Sequence, residues 1–331
     1  MALNGYRFVF VLRDASGTRI HEEDVFDFLP LYHDIAFTAV CHDRLSNDGR
    51  WGSTAVEPLW KEGQLAGITV CLADLHKTYG LAMFAERAGE ILLLSGFVKE
   101  DDREPDPQLS WTIEMREAAQ TSGGPRLRST VRRQPYPLQR RAPDVVAMRT
   151  NTGERCGEAD LLSVTIAAGL LEELRAESAG CLERERADFL TGNLVQEATG
   201  HALVALLDRI PAGVETTSSA AHFGFSGRTF DAARRELERR ATGQVILGWH
   251  HNHPPPCARQ CLMTIPACGT DNLFFSFFSA ADRVVHRRGF VSPFMVALVT
   301  GKAPHRRADD PGVRAFGWSD GVIRERAFSV I

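Results

Sequence analysis

The sequence predicts an α/β protein in which a mixed α/β domain around a central sheet follows a smaller, β-rich α+β domain. Three observations support this fold class. The chain has 331 residues, more than a typical single domain. Short apolar runs dominate up to residue 118, whereas strand-like and helix-like patterns alternate after residue 150. A segment rich in arginine and proline separates the two halves.

The N-terminal half, residues 1–118, is predicted to be an accessory domain without catalytic residues. Its apolar runs are short, partly β-branched and bounded by Gly, Asp or Pro, which favours strands with one or two helices among them. The runs are 6–12, 35–40, 66–72, 90–98 and 111–115. No group of carboxylates, histidines or cysteines in this half has the spacing of a ligand set.

Residues 119–150 are predicted to be a linker, or an arm that becomes ordered on a partner. The segment has too few apolar residues to build a core, and its prolines disfavour a helix or a central strand. Between residues 119 and 143 the chain contains no acid, and its basic side chains there are Arg126, Arg128, Arg132, Arg133, Arg140 and Arg141. The whole chain has a net charge of −4, so a general attraction to nucleic acid or to membranes is not expected.

Residues 151–331 are predicted to form the mixed α/β domain. Apolar runs favour strands, and apolar residues at helical spacing favour helices. Ser279 is suited to cap a helix that carries Asp282. The predicted order is strand 162–166, helix 167–176, strand 202–207, helix 229–240, strand 244–249, the helix after Ser279, and strand 293–300.

The most informative stretch of this domain runs from Gly248 to Asp282. It contains Gly-Trp-His-His-Asn-His-Pro at 248–254 and Ser-Ala-Ala-Asp at 279–282. In a strand, side chains alternate between faces, so His251 and His253 project to one side. Two imidazoles and a carboxylate that leave a fourth position free for water form the ligand set of a catalytic zinc. Asp282 is a candidate for the third ligand.

These motifs resemble the signature of the JAMM metalloproteases, the active branch of the MPN/JAB domains that remove ubiquitin-like proteins. The resemblance covers residues 155–331 and implies Zn²⁺ bound by His251, His253 and Asp282. It also implies Glu197, in Glu-Ala-Thr-Gly at 197–200, as the proton shuttle, and Ser279 as a donor to the oxyanion. The sequence departs from the family pattern in having His250 for an aromatic residue, Asn252 for the common Ser, and a long insert before Ser279.

The insert contains three of the seven cysteines, and they suggest a second metal site. Cys257 and Cys261 have the spacing of a structural zinc site, and Cys268 adds a third thiolate. The alternative is three reduced thiols in a compact loop. The fourth ligand stays open, with Asp271, His250, Cys156 and Cys181 as the candidates.

The resemblance implies a zinc isopeptidase. Such an enzyme hydrolyses the bond between the C-terminus of a ubiquitin-like protein and its target, or processes the ubiquitin-like precursor. The arrangement with an extra N-terminal domain is similar to JAB proteins of bacterial ubiquitin-like conjugation systems. Ubiquitin-like proteins, their conjugates, and E1- and E2-like conjugation enzymes are therefore the expected partners. The chain lacks an apolar run of transmembrane length and a signal-peptide pattern at residues 1–7, so a cytoplasmic protein is expected.

Three alternatives are weaker. A non-catalytic MPN scaffold that assembles a conjugation complex usually lacks one or more of the three ligands, whereas all are present here. Zinc deaminases follow the order His-x-Glu and then Pro-Cys-x-x-Cys, but the second residue after His251 is His253 rather than Glu. A histidine-rich nuclease would not need the Glu197 and Ser279 motifs.

Overall fold

The computed structural model describes residues 6–49, 51, 54–97, 109–117, 135–140, 161–180, 185–197, 199–213, 217–218, 223–253, 278–301 and 312–331. Over these residues the protein is a mixed α/β protein with five helices and several sheets. The chain divides into two compact units, Met1–Tyr136 with Asp320–Val322, and Pro137–Ser319 with Ile323–Ile331. Within the described ranges, no helix has the length and apolar character needed to cross a membrane.

Among its described residues, the first unit contains two three-stranded antiparallel sheets and two helices. The sheets have the strand orders β2-β1-β6 and β3-β4-β5. The elements are β1 Tyr6–Arg13, β2 Arg19–Asp24, α1 Phe28–Cys41, β3 Thr54–Lys61, β4 Gln64–Leu72, β5 Leu75–Gly80, α2 Ala82–Leu94 and β6 Ser110–Glu117.

Two of the five apolar runs in this unit are helical. Residues 35–40 lie in α1. The N-cap of this helix is Asp27, whose side chain accepts a hydrogen bond from the Leu29 N–H at 3.2 Å. Residues 90–94 lie in α2. A short apolar run that is buried at almost every position does not show whether it is strand or helix. The strand interpretation of 35–40 and of 90–94 is therefore wrong, whereas the expectation of one or two helices in this half is confirmed by α1 and α2. The other three runs lie in β1, β4 and β6.

The second unit contains a nine-stranded mixed sheet, a small two-stranded sheet and three helices among its described residues. The large sheet has the order β16-β15-β14-β13-β9-β10-β8-β17, and β7 pairs with β9. The elements are β7 Leu138–Arg140, β8 Leu162–Ile166, α3 Ala168–Gly180, β9 Ala187–Gln196, β10 Ala202–Pro211, β11 Thr217–Ser218, β12 Phe223–Gly224, α4 Gly227–Arg240, β13 Val245–His253, α5 Ala280–Gly289, β14 Val296–Gly301, β15 Val313–Ser319, β16 Val322–Arg326 and β17 Ser329–Val330.

Helices cover both faces of this sheet. On one face, Phe230 of α4 and Phe290 at the end of α5 pack against Phe189 of β9. On the other face, Glu177 of α3 pairs with Arg209 of β10. The first face contains the main aromatic core, which includes Ala187, Phe189, Ile210, Ala212, Ala233, Trp249, Phe278, Phe290, Ala297, Val299, Phe316, Trp318 and Ile323.

Part of the predicted linker takes part in this sheet. Residues 138–140 form β7, which pairs in parallel with the C-terminal end of β9. Residues 119–134 and 141–150 of the predicted linker lie outside the described residues.

Candidate metal centre

Strand β13 carries the histidine motif through the middle of the large sheet. It pairs antiparallel with β9 and parallel with β14, and it is buried from Leu247 to His253. Gly248 makes this close packing possible, because a Cβ atom at that position would lie 1.7 Å from the carbonyl oxygen of Val296. The histidines are thus presented by a strand that is held on both edges.

One face of β13 presents Trp249, His251 and His253, as the alternation of side chains predicts. The indole ring of Trp249 stacks on His251 with ring centroids 4.6 Å apart and planes 12° apart. The indole N–H of Trp249 donates to Nδ1 of His286 on α5 at 3.1 Å. The ring of His251 is therefore held in place by a tryptophan that is itself tied to a helix.

Helix α5 brings the carboxylate to the same place. Its N-cap is Ser279, whose hydroxyl oxygen accepts from the Asp282 N–H at 3.0 Å. In return, Oδ2 of Asp282 accepts from the Ser279 N–H at 2.8 Å, which completes a capping box. The predicted N-cap role of Ser279 is confirmed, and the capping box fixes the direction of the Asp282 carboxylate.

The structure brings the three predicted metal ligands together. Nε2 of His251 lies 2.9 Å from Nε2 of His253 and 3.1 Å from Oδ1 of Asp282. Nε2 of His253 lies 3.6 Å from Oδ2 of Asp282. One ligand atom from each residue can be chosen so that all lie within 4.8 Å of one another, and all three residues are buried. A strand and a helix that are distant in sequence thus converge on one point.

The charge and spacing of this group fit a metal ion. Burial alone would favour the neutral acid, but the adjacent imidazoles of His251 and His253 hold the pKa of the Asp282 carboxyl well below its usual range. A metal bound at about 2.0 Å in tetrahedral geometry separates its ligand atoms by about 3.3 Å, close to the separations found here. The buried His-His-Asp group can therefore hold a metal ion, since a cation would face three electron-pair donors.

The opposite face of β13 contains a separate buried polar network. Nδ1 of His250 lies 3.1 Å from Oδ2 of Asp188, and Nε2 of His250 lies 2.8 Å from the hydroxyl of Thr300. Arg209 donates to Asp188 at 3.0 Å and also pairs with Glu177 of α3. Burial lowers the pKa of His250, against the opposing effect of Asp188. His250 is thus a neutral residue with both nitrogens engaged by the protein.

Asp188 stays ionised in this network. Burial opposes its ionisation, but the hydrogen bond with His250 and the charge of Arg209 hold the pKa of Asp188 below its ordinary value.

The structure does not bring Glu197 to the metal ligands. The register pairs His251 with Ala187, at the beginning of β9, whereas Glu197 directly follows Gln196 at the end of that strand. Gln196 lies nine positions after Ala187, which corresponds to about 30 Å of extended chain. Glu197 instead forms the turn between β9 and β10, where its N–H donates to the His201 carbonyl and its carbonyl accepts from the Gly200 N–H. The predicted proton shuttle is therefore at the wrong end of the strand.

The same register places another glutamate, Glu185, beside the ligands. The Asn252 N–H donates to the Arg186 carbonyl at 3.2 Å, which continues the pairing one residue beyond His251 and Ala187. The next position along this register puts Glu185 opposite His253, and residues directly opposite in an antiparallel pair share a face. Glu185 is buried, with 9% of its surface exposed. The register thus places a glutamate on the face of the ligand group, at a position that the sequence had not indicated.

Contacts along β9 support this assignment of faces. The side chains of Arg186 and Asp188 point toward α3, since Arg186 lies 3.4 Å from Glu177 and Asp188 bonds Arg209. Phe189 belongs to the aromatic core with Trp249. The alternate positions 185, 187 and 189 therefore face the side that carries the histidine ligands.

Comparisons with known proteins do not assign this chain to a family. No family model matches it, and no curated protein matches it. Among solved structures, the chain is similar to a solution structure of a protein from Desulfitobacterium hafniense, with 21% sequence identity and a TM-score of 0.35. That similarity covers 51% of this chain and 92% of the other. The chemical interpretation of the site therefore depends on its own geometry.

The predicted cysteine site falls on residues that the structure does not describe. Cys257, Cys261 and Cys268 lie outside the described residues, as do the candidate fourth ligands Asp271, Cys156 and Cys181. The remaining candidate for the fourth ligand of that site, His250, forms hydrogen bonds with Asp188 and Thr300.

Proposed function

We propose that the chain is a zinc-dependent isopeptidase of the JAMM type. It would hydrolyse the bond between the C-terminus of a ubiquitin-like protein and its target, or process the ubiquitin-like precursor. The observation that carries the proposal is the convergence of His251, His253 and Asp282. Glu185 lies two residues before the start of β9, at the position that continues the register opposite His253. Two imidazoles and one carboxylate are a ligand set found in zinc hydrolases, which is why zinc is the metal proposed.

The chemistry that zinc supplies in such a site is polarisation of a carbonyl group and acidification of a water molecule. Glu185 takes the proton of the attacking water and delivers it to the leaving amine, so a C–O bond forms as the C–N bond breaks. In this proposal Glu185 replaces Glu197 as the proton shuttle, because a shuttle must be close to the ligands without being one of them.

Ser279 is suited to stabilise the oxyanion of the reaction. Both hydrogen bonds of the capping box are donated by backbone N–H groups, one from Asp282 and one from Ser279. The hydroxyl proton of Ser279 is not used in that box. It can be donated to the oxygen of the substrate carbonyl as negative charge develops there.

The second candidate is a scaffold that keeps the fold and assembles a conjugation complex without catalysis. The complete and buried ligand set favours the enzyme, since a scaffold needs neither a converging set of ligands nor a carboxylate beside it. In either case the unit Met1–Tyr136 is proposed to select the ubiquitin-like protein or to bind E1- and E2-like enzymes. Proteins are thus the proposed partners, and nucleic acid and membranes are not.

Cleavage of a ubiquitin-like fusion protein tests the proposal. The full chain is loaded with Zn²⁺ and incubated with fusions of ubiquitin-like proteins to a reporter, with and without a chelator. We expect cleavage directly after the C-terminal glycine, loss of cleavage with the chelator, and recovery when Zn²⁺ is restored. A zinc-loaded protein that binds the fusions without cleaving any of them would favour the scaffold.

A further inference from the structure

We propose that Asn252 is a positioning residue that holds the segment carrying Glu185 against the metal ligands. Asn252 lies between the two histidine ligands but points away from them, so it takes no part in binding the metal directly. The inference extends the proposed function, because it assigns a task to a residue on the reverse face of β13. It rests on the hydrogen bonds where β9 and β13 meet.

The side chain of Asn252 closes the last rung of the ladder between these strands. Its backbone N–H donates to the Arg186 carbonyl at 3.2 Å. In a regular antiparallel pair, the Arg186 N–H would donate back to the backbone carbonyl of Asn252. Here the Arg186 N–H donates to the side-chain oxygen Oδ1 of Asn252 at 2.7 Å. The amide group therefore takes the place of a backbone acceptor.

This rung is important because the regular strand begins only at Ala187. Glu185 and Arg186 precede it, outside the regular strand. The guanidinium of Arg186 makes a 3.4 Å contact with Glu177, but the Arg186 side chain is 64% exposed. An exposed ion pair of this kind contributes little rigidity. The hydrogen bond between Asn252 and this segment is buried, since only 1% of the surface of Asn252 is exposed.

Apolar packing does not account for an asparagine at this position. Its Nδ2 group is buried and has no hydrogen-bond partner among the described residues. A buried amide with an unpaired donor is less stable than an apolar side chain of the same size, unless its acceptor is needed. Serine is too short for the task, because its oxygen lies one bond closer to its own backbone than Oδ1 of asparagine does.

Substitutions that keep or remove the acceptor test the proposal. Asn252→Leu keeps the shape and removes Oδ1, Asn252→Ser is a milder loss, and Asn252→Asp keeps an acceptor. Asn193→Leu is the matched control, because Asn193 lies on β9 and its Oδ1 accepts from Gln139 at 3.4 Å, away from the site. Hydrogen–deuterium exchange of the peptide 185–190 and the affinity for Zn²⁺ are measured for every variant.

We expect exchange of the Arg186 amide to become at least about ten-fold faster in the Leu and Ser variants, and to stay slow in the Asp variant and in the control. The Zn²⁺ affinity should change by less than about three-fold, because Asn252 does not touch the ligands. Unchanged exchange in both the Leu and the Ser variants would overturn the proposal. These two measurements need no substrate, so they decide the positioning role even if the chain cleaves nothing.

Turnover separates positioning from general loss of stability. In an active enzyme, Asn252→Leu and Asn252→Ser should lower kcat by between about 10-fold and 100-fold with KM nearly unchanged. The same changes should have no further effect in a Glu185→Gln background, because the group that they position is already disabled. An equal loss in both backgrounds would show that Asn252 does not act through Glu185.

Discussion

The two faces of strand β13 each contain a buried histidine, but His250 and His251 have different contacts. On the reverse face, both nitrogens of His250 are engaged, one by Asp188 and one by Thr300. On the ligand face, Nε2 of His251 points instead at Nε2 of His253 and at the carboxylate of Asp282. Burial is the same on both faces, so burial alone does not distinguish a structural histidine from a ligand. Both ring nitrogens of a structural histidine form hydrogen bonds with other protein groups. In a ligand set, by contrast, the electron pairs of several side chains converge on a common point.

The most severe test of this comparison removes a ligand. His251→Ala and Asp282→Ala should each lower the affinity for Zn²⁺ by more than about 100-fold, exceeding the effect of losing a residue that only supports a ligand. Metal content after equilibrium dialysis measures the effect. His76→Ala is the control, because His76 is an exposed histidine on β5 in the first unit. Equal metal binding by wild type and Asp282→Ala would rule out this group as the metal site.

The next test asks which glutamate acts with the ligand face. Glu185→Gln should reduce cleavage of a ubiquitin-like fusion by between about 100-fold and 10,000-fold while Zn²⁺ stays bound, because proton transfer is lost. Glu197→Gln is the matched change at the other end of β9 and should leave the rate within about two-fold. The comparison uses initial rates of fusion cleavage together with metal content. The opposite result would place the proton shuttle in the turn between β9 and β10.

A third test addresses the reverse face. Asp188→Asn should destabilise the fold by about 3 kcal/mol, because it leaves the charge of Arg209 without its buried partner. Urea unfolding of the metal-free protein measures this change. Asp231→Asn is the control, since Asp231 and Arg234 form an exposed pair, and it should cost less than about 0.5 kcal/mol. Comparable losses in the two variants would contradict the structural role of the His250 network.

The lowered pKa of Asp188 sets the sign of the acid dependence. Its stabilising effect is present above the ordinary pKa of a carboxyl group. It is lost as the pH falls through the lower pKa of the folded state.

The smallest expected effect concerns His286, which supports the ligand face through Trp249. Burial, together with Arg287, Arg326 and Arg283, lowers the pKa of His286 to about 3. The unfolded chain binds a proton near the ordinary pKa of about 6.5 and the folded protein does not, so stability falls as the pH is lowered from 7 to 5. His286→Gln keeps an acceptor for Trp249. Between pH 7 and pH 5, the free energy of unfolding of this variant should fall by about 2 kcal/mol less than that of the wild type.

Denaturant unfolding at the two pH values measures the contribution of His286. When the pH dependence of the variant's unfolding free energy is subtracted from that of the wild type, the contributions of the other histidines cancel. An identical pH dependence of the two proteins would show that His286 is not held neutral.

The resemblance on which the function is proposed could be found in the sequence because its residues are close together. His251 and His253 share a face through the two-residue repeat of a strand, and Ser279 and Asp282 are one helical turn apart. The capping box is a local interaction, so Ser279 could be predicted as the N-cap before its contacts were known. Local geometry of this kind follows from the order of residues alone.

Glu185 could not be found in this way. It stands in the charged run Glu-Arg-Glu-Arg at 183–186, which has the composition of a solvated segment. Glu197 was the more obvious candidate because Gly200 follows it. That glycine lies in the turn between β9 and β10, where it has a φ of +81°. Only the antiparallel register between β9 and β13 decides which glutamate lies at the ligand end, because strands can slide past one another until side chains pack.

The sequence by itself determined the ligand types, their alternation on the strand and the cap of α5, since these depend on a few neighbouring dihedral angles. The tertiary structure decided that Asp282 meets the histidines, that His250 is bound by Asp188, and that Glu185 rather than Glu197 lies beside the site. These contacts join segments far apart in the chain. Their existence depends on the sum of many packing and hydrogen-bonding contributions across the sheet, which no single stretch of sequence contains.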